Sequence, residues 1–213
     1  MYRKTKGYRN LEKRISQLNK HLVKVLLPKD VMHLTSREMD LCRGFKVLCH
    51  AEMEGYFEGI AKILVHESSY IWRNEKKILL PIVGLLGNYE KIDTNDTIDT
   101  KINKVMTDYL QFVNKKNHGI KSDNIDKLYT ALGINCDRFD NTWLTMLDSF
   151  GNARGLIAHT SASVQSHINI GDTVGEINHI LDEIENFEKE IENQSKINLY
   201  EAEKRYIVAN RVV

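Results

Sequence analysis

Only 2 prolines, Pro28 and Pro81, interrupt a chain of 213 residues, and the long runs they leave carry the periodicity of helices. Proline lacks the amide that a helical ladder needs, so its scarcity lets helices run on. The longest run starts at Thr35, which forms a capping-box signature with Glu38. Its apolar row, Leu41, Phe45, Leu48, Ala51, Phe57, Ile60 and Leu64, carries the helix to about Trp72. Glu54 falls on the same row, a charge among hydrophobes. No strand-like alternation competes anywhere. The predicted class is all-α, an antiparallel helical bundle with an extra basic N-terminal helix and a long C-terminal helix.

The remaining elements follow the same rules. Leu11, Ile15, Leu18, Leu22 and Val25 form a short heptad seam that Pro28 ends. Residues 84–95, rich in Gly, Asn, Asp and Thr, read as a loop. A third helix carries Ile98, Ile102, Val105, Tyr109 and Val113 and stops at Lys115-Lys116-Asn117-His118-Gly119, with lysines in the last turn and glycine beyond it. Ser122 caps a short fourth helix, and a fifth spans residues 140–158. After a loop over residues 160–171, a capping box of Thr173 and Glu176 opens the sixth, which runs past Ile191. The expected organisation is a basic arm (1–30), a helical domain (31–193) and a helical tail (194–213).

With 42% apolar and 28% charged residues, the chain suits one globular domain with a sizeable core. The net charge of +1 hides an asymmetry. Within residues 1–27 eight lysines and arginines face Glu12 alone, while residues 172–192 are acidic. A basic arm fits nucleic acid and equally a solvated helix face. Cys42, Cys49 and Cys136 lack paired metal-ligand spacing, and Cys42 and Cys49, seven apart on one helix, suit small core positions rather than a bridge. The longest apolar patch, residues 78–86, is far below the roughly 20 residues that span a bilayer. With no signal-peptide pattern at the N-terminus, a cytoplasmic protein without membrane contact is expected.

Chemistry concentrates in Asn152-Ala153-Arg154-Gly155-Leu156-Ile157-Ala158-His159. Trp143, Leu147, Phe150 and Ile157 share one helical face, and Arg154 lies on it too. A guanidinium keeps its charge, so an inward-facing one needs a carboxylate, a phosphate or a wet cleft. His159 adds a proton carrier for neutral pH. Five positions on an ideal helix amount to roughly 140° of rotation and about 7.5 Å of rise, so one straight, isolated helix cannot aim both side chains at one small target. A kink near His159, a groove flanked by both, or a second copy would solve this. The blander reading is a helix-capping histidine and an arginine in a structural ion pair. Gly151 and Gly155 flank Arg154 and leave room for a ligand.

The stretch from Asn152 to His159 resembles the arginine, four to six residues, histidine motif of HEPN domains. Three segments are similar to the RiboL-PSP-HEPN subgroup: His50-Ala51-Glu52-Met53-Glu54-Gly55-Tyr56-Phe57; Asn117-His118-Gly119-Ile120 followed by Leu128 and Leu132-Gly133-Ile134; and Arg154-Gly155-Leu156-Ile157-Ala158-His159. They cover roughly residues 40–190 and leave residues 1–30 and the tail outside. The resemblance implies a helical core that pairs with a second copy, both motifs facing one cleft. Active relatives are metal-independent endoribonucleases of toxin–antitoxin and phage-defence systems, working without a cofactor. Arg154 and His159 would then be the catalytic pair. The residue after the arginine is commonly Asn in the superfamily and is Gly155 here, a contact that Asn152 would have to replace.

The residue types fit that chemistry. In metal-free RNA cleavage the 2′-OH attacks phosphorus, one proton leaves that hydroxyl and another reaches the departing 5′ oxygen. A histidine carries such protons and an arginine offsets charge on the phosphoryl oxygens. Glu54 is expected to orient Arg154, directly or through water. Lys115, Lys116 and His118 are candidate RNA contacts, although as a plain helix terminus they need no ligand. The competing readings are a non-catalytic HEPN module that binds RNA, nucleotide or a protein partner such as an antitoxin, and a helical scaffold in which Arg154 and His159 are structural.

Overall fold

The computed structural model describes residues 2–88, 95–159 and 168–210. Within them eight α-helices form the bundle: α1 (Lys6–Leu18), α2 (Ser36–Glu75), α3 (Leu80–Gly87), α4 (Ile98–Lys115), α5 (Ser122–Thr130), α6 (Asn141–His159), α7 (Ile170–Ser195) and α8 (Leu199–Ala209). The described residues contain no strand, and none of their helices is long and apolar enough to cross a membrane. The Thr35–Glu38 capping box is present at the start of α2. All seven other helices touch α2, which is the axis of the bundle.

That central position explains why the apolar row predicted for α2 is only partly right. Phe45, Phe57, Ile60 and Leu64 are buried, but Leu41 is half-buried, Ala51 exposed and Leu48 40% exposed. Cys42, Cys49, His50 and Met53 are buried instead. A helix packed on several sides does not show one stripe.

The heptad seam fails at its C-terminal end for a different reason. After Leu18 the chain makes a π-helical turn, Asn19–Val23, in which the Lys24 amide bonds the Asn19 carbonyl at 2.9 Å. The wider turn accommodates one extra residue and advances the inward face by one position. Val23 and Leu26 are therefore buried, Leu22 is half-buried, and Val25 is 75% exposed.

Residues 84–87 are helical rather than loop, closing α3, with Pro81 in its first turn where the missing amide costs nothing. Residues 89–94 lie outside the described part. Gly84 is the reason so short an apolar helix can pack here. A Cβ at that position would stand 2.3 Å from the Gly133 nitrogen, at a turn where Gly133 itself has φ +76°. Two further helix starts differ from expectation. Lys121, not Ser122, precedes α5, and the Ser122 hydroxyl and amide bond Asp148 of α6 instead. In α7 the cap is Asn169, whose Oδ1 accepts the Gly171 amide at 2.9 Å. Thr173 sits inside the helix and bonds the Asn169 carbonyl, and Glu176 pairs with Lys46 of α2 at 3.2 Å. Tertiary partners took the side chains of Ser122 and Glu176, and Thr173 turned to the carbonyl of the actual cap.

The basic α1 is built into the core, with Tyr8, Leu11, Ile15 and Leu18 in the same buried cluster as α2. Two carboxylates from the other end of the chain hold its start. Glu203 accepts the Lys6 and Gly7 amides, two of the donors that a helix N-terminus leaves unpaired. Buried Glu188 accepts the Thr5 and Tyr56 hydroxyls. The centre of the bundle is aromatic. Phe187 lies 5.2 Å from Tyr129, 5.4 Å from Phe57 and 5.5 Å from Trp143, joining α7 to α5, α2 and α6.

Candidate active site

Three elements meet where α6 leaves the core. Along α6, Trp143, Leu147 and Phe150 are fully buried, Arg154 and Ile157 are half-buried, and Leu156 is 67% exposed. Arg154 thus stands at the transition from core to surface on the predicted face. Its Nε is sealed from solvent with no hydrogen-bond partner. Gly155 has open space around it, whereas a Cβ on Gly151 would meet the Lys121 side chain at 2.8 Å. The room expected at Gly151 is filled by that lysine. Asn152 is exposed. His159 is the last residue of α6, and its side chain lies outside the described part, as do residues 160–167.

α2 supplies Lys46, His50 and Glu54, one helical turn apart and therefore on neighbouring positions of one face. His50 is 2% exposed, and its ring stacks on Phe150 of α6 with centroids 6.4 Å apart. Lys46 places its ammonium 4.9 Å from the same Phe150 ring. Burial, and then the Arg154 cation, push the His50 pKa down to about 4, so its imidazole is neutral at pH 7.

The third element is the turn between α4 and α5. Glu54 Oε1 accepts the Gly119 amide at 2.8 Å, and Gly119 has φ +116°, a conformation suited to glycine. Oε2 of Glu54 lies 3.6 Å from His50 Nδ1, and Oε1 lies 3.9 Å from His118 Nδ1. His118 also places Nε2 3.2 Å from the Lys115 carbonyl, closing the end of α4, while Lys115 and Lys116 are exposed.

Glu54 makes no direct ion pair with Arg154 among the described residues. Its oxygens are engaged by Gly119 and lie beside His50 and His118, and it is His50 that stands in the field of Arg154. The local pattern pointed to the right two helices but missed His50, which lies beside Glu54 and feels the Arg154 charge. His50 is one turn before Glu54, and a polar residue repeating at that spacing was the available signal. Asn117 was also missed. It is 1% exposed, and its Nδ2 has no partner. Buried polar atoms without partners are uncommon and ask for an explanation. Here Asn117 Nδ2, His50 Nδ1 and Arg154 Nε are all of that kind, and they come from the three elements that meet here, joined by the Glu54–Gly119 bond and the His50–Phe150 stack. Among the described residues no group of His, Cys, Asp and Glu is arranged to hold a metal ion.

Against this helical site, comparison with known proteins gives one finding. The sequence matches the RiboL-PSP-HEPN family over residues 9–193. The chain belongs to that family. Neither the curated proteins nor the solved structures gave a significant match. The matched span of the HEPN domain begins within α1 and ends in α7, so it takes in most of the basic N-terminal helix as well as α2, the Asn117 turn and α6. Arg154 and His159 both fall inside the HEPN match, as do His50, Glu54 and Gly119.

Proposed function

We propose that this HEPN protein is a metal-independent endoribonuclease, acting as a toxin or phage-defence effector. The observation that supports it best is Arg154, a half-buried cation with an unpartnered Nε beside a neutral histidine. A guanidinium already neutralised by a carboxylate would gain little from phosphate, whereas Arg154 pairs with no carboxylate among the described residues and so has its charge to offer to the phosphoryl oxygens. In this reading the RNA 2′-OH attacks the adjacent phosphorus and the 5′ oxygen leaves. Arg154 stabilises the charge that develops on the phosphoryl oxygens, and His159 transfers protons. Glu54 and His50 act as positioning residues, Glu54 by holding the Gly119 turn and His50 by packing between that carboxylate and α6.

A second copy completes the cleft. Leu156 and Ala158 expose apolar surface on the final turns of α6, where two copies of the motif would face each other. Two protomers would contribute two histidines, one acid and one base, which removes the difficulty that Arg154 and His159 diverge on one helix.

The test is incubation of the purified protein with single-stranded and structured RNA in excess chelator. The expected products carry 2′,3′-cyclic phosphate and 5′-hydroxyl ends. Arg154→Ala and His159→Ala should each lower cleavage by about 10²-fold or more. Binding of RNA by all three proteins without cleavage would favour a non-catalytic HEPN module instead, a role in which Gly155 in place of the common Asn would be no handicap. Loss of folding in both variants would favour the scaffold.

A further inference from the structure

Away from the candidate active site, the last turns of α2, one face of α4 and the end of α8 enclose a groove of about 960 Å³. His66 in its floor is sixteen residues beyond His50, about 24 Å along a straight helix, so the groove is a separate feature. Its lining has four permanent cations, Lys62, Arg73, Lys204 and Arg205, and no carboxylate among the described residues.

The cations differ in how they are held. Arg205 is fixed by buried Glu67, which accepts from its Nε at 2.8 Å and from its Nη2. That clamp sets the guanidinium carbon 5.6 Å from the centroid of the Tyr70 ring. Arg73 has a neutral partner, Asn103 Oδ1 at 3.2 Å, and so keeps its full charge. Lys204 lies over the Tyr200 ring and pairs with exposed Glu201, an exposed ion pair that a phosphate could replace at small cost. Lys62 pairs with Glu58 at 3.5 Å.

The rest of the groove is aromatic and apolar. Tyr70 is 44% exposed. Tyr206 meets the His66 ring edge-on at 5.4 Å, and His66 Nδ1 is buried without a hydrogen-bond partner. Met106 and Leu110 of α4 form the opposite wall. Exposed rings beside cations are the means by which proteins hold unpaired bases and their phosphates. An acidic peptide would use the cations but has no need of the ring faces.

We propose that this groove binds a single-stranded segment of RNA, with a base stacked on Tyr70 and the flanking phosphates against Arg73 and Lys204. The inference rests on the reading of the protein as an RNA enzyme and extends its footprint beyond the cleft.

A labelled oligonucleotide with 2′-O-methyl riboses tests it, because binding is then read without cleavage. Tyr70→Ala and Arg73→Glu should each weaken binding at least tenfold, and Arg73→Glu should flatten its dependence on salt. Tyr70→Phe, which keeps the ring, should bind like the wild type, and this guards against loss of fold. A photoactivatable thiouridine in the strand should cross-link to α2 or α8 residues of the groove. Cleavage of a dinucleotide, too short to reach the groove, should be unaffected by either substitution. Equal binding by wild type and groove variants would overturn the proposal, as would a wild type that binds no RNA, or a groove that takes a polyglutamate peptide which RNA cannot displace. If the variants lose RNA binding while the wild type cleaves nothing, the groove stands and the nuclease reading falls.

Discussion

His50 Nδ1 lies 3.6 Å from Glu54 Oε2, one turn apart on α2, with Glu54 holding the Gly119 turn and His50 in the field of Arg154 of α6. The contact is too long to count as a hydrogen bond. It joins a buried neutral imidazole to a half-buried carboxylate, and several consequences can be measured.

The His50 pKa is pushed from 6.5 down to about 4. The unfolded chain therefore binds the proton more readily than the folded one. Stability from this group is complete above about pH 6.5 and is lost as pH falls toward 4. The loss is on the order of 3 kcal/mol at the acid end. Urea unfolding between pH 7 and 4.5 should show this slope, and His50→Gln should reduce it. Equal slopes would show that other groups govern the acid limb. The shift of His50 is set by burial and then by the Arg154 cation.

Glu54→Ala leaves the Gly119 amide without its acceptor, at about 1–3 kcal/mol. Glu54→Gln keeps an acceptor oxygen and should cost less. Amide exchange at Gly119 reports the difference directly, and it should quicken most in the alanine variant. Protection unchanged in Glu54→Ala would mean the turn is held by other contacts.

Gly84→Ala would drive a Cβ against the Gly133 backbone, 2.3 Å from its nitrogen. Backbone cannot swing aside as a side chain can, so a loss of about 1–3 kcal/mol or more is expected in chemical denaturation. Gly155→Ala, with nothing near its Cβ, should be neutral or slightly stabilising.

Glu203→Ala removes the acceptor of the Lys6 and Gly7 amides. The expected cost is about 1–2 kcal/mol, with earlier fraying of α1 seen as faster exchange at those two amides. Retained protection there would place the anchor of α1 in its apolar face alone.

Leu156→Asp should shift sedimentation from dimer to monomer if the end of α6 forms the interface between copies. Cleavage should fall at low protein concentration and recover as the concentration is raised. A dimer that persists would move the interface elsewhere.

How much of this could be read from the residues depends on how local each feature is. The capped start of α2, the stop after Lys115 and the inward place of Arg154 are set by neighbours within a turn or two, and all are present. The seam of α1 shifted at a π turn that no apolar pattern announces. The cap expected at Ser122 gave way because Asp148, remote in sequence, took its hydroxyl and amide, while the box of Thr173 and Glu176 gave way to Asn169 as the cap and to Lys46 as the partner of Glu176. α3 was hidden because an eight-residue helix has too few turns to show a period.

The sequence by itself determined the all-helical class, the family, and the two helices that carry opposite charges toward the same site. Periodicity and capping are short-range effects, and they are written residue by residue. Tertiary structure alone decided that Glu54 would engage Gly119 and, among the described residues, form no ion pair with Arg154, and that His50 would lie beside Glu54 in the field of Arg154. Those contacts join α2, the turn after α4, and α6. Which polar groups meet across such distances depends on how the helices pack, and a buried carboxylate engages the donors that packing brings within reach.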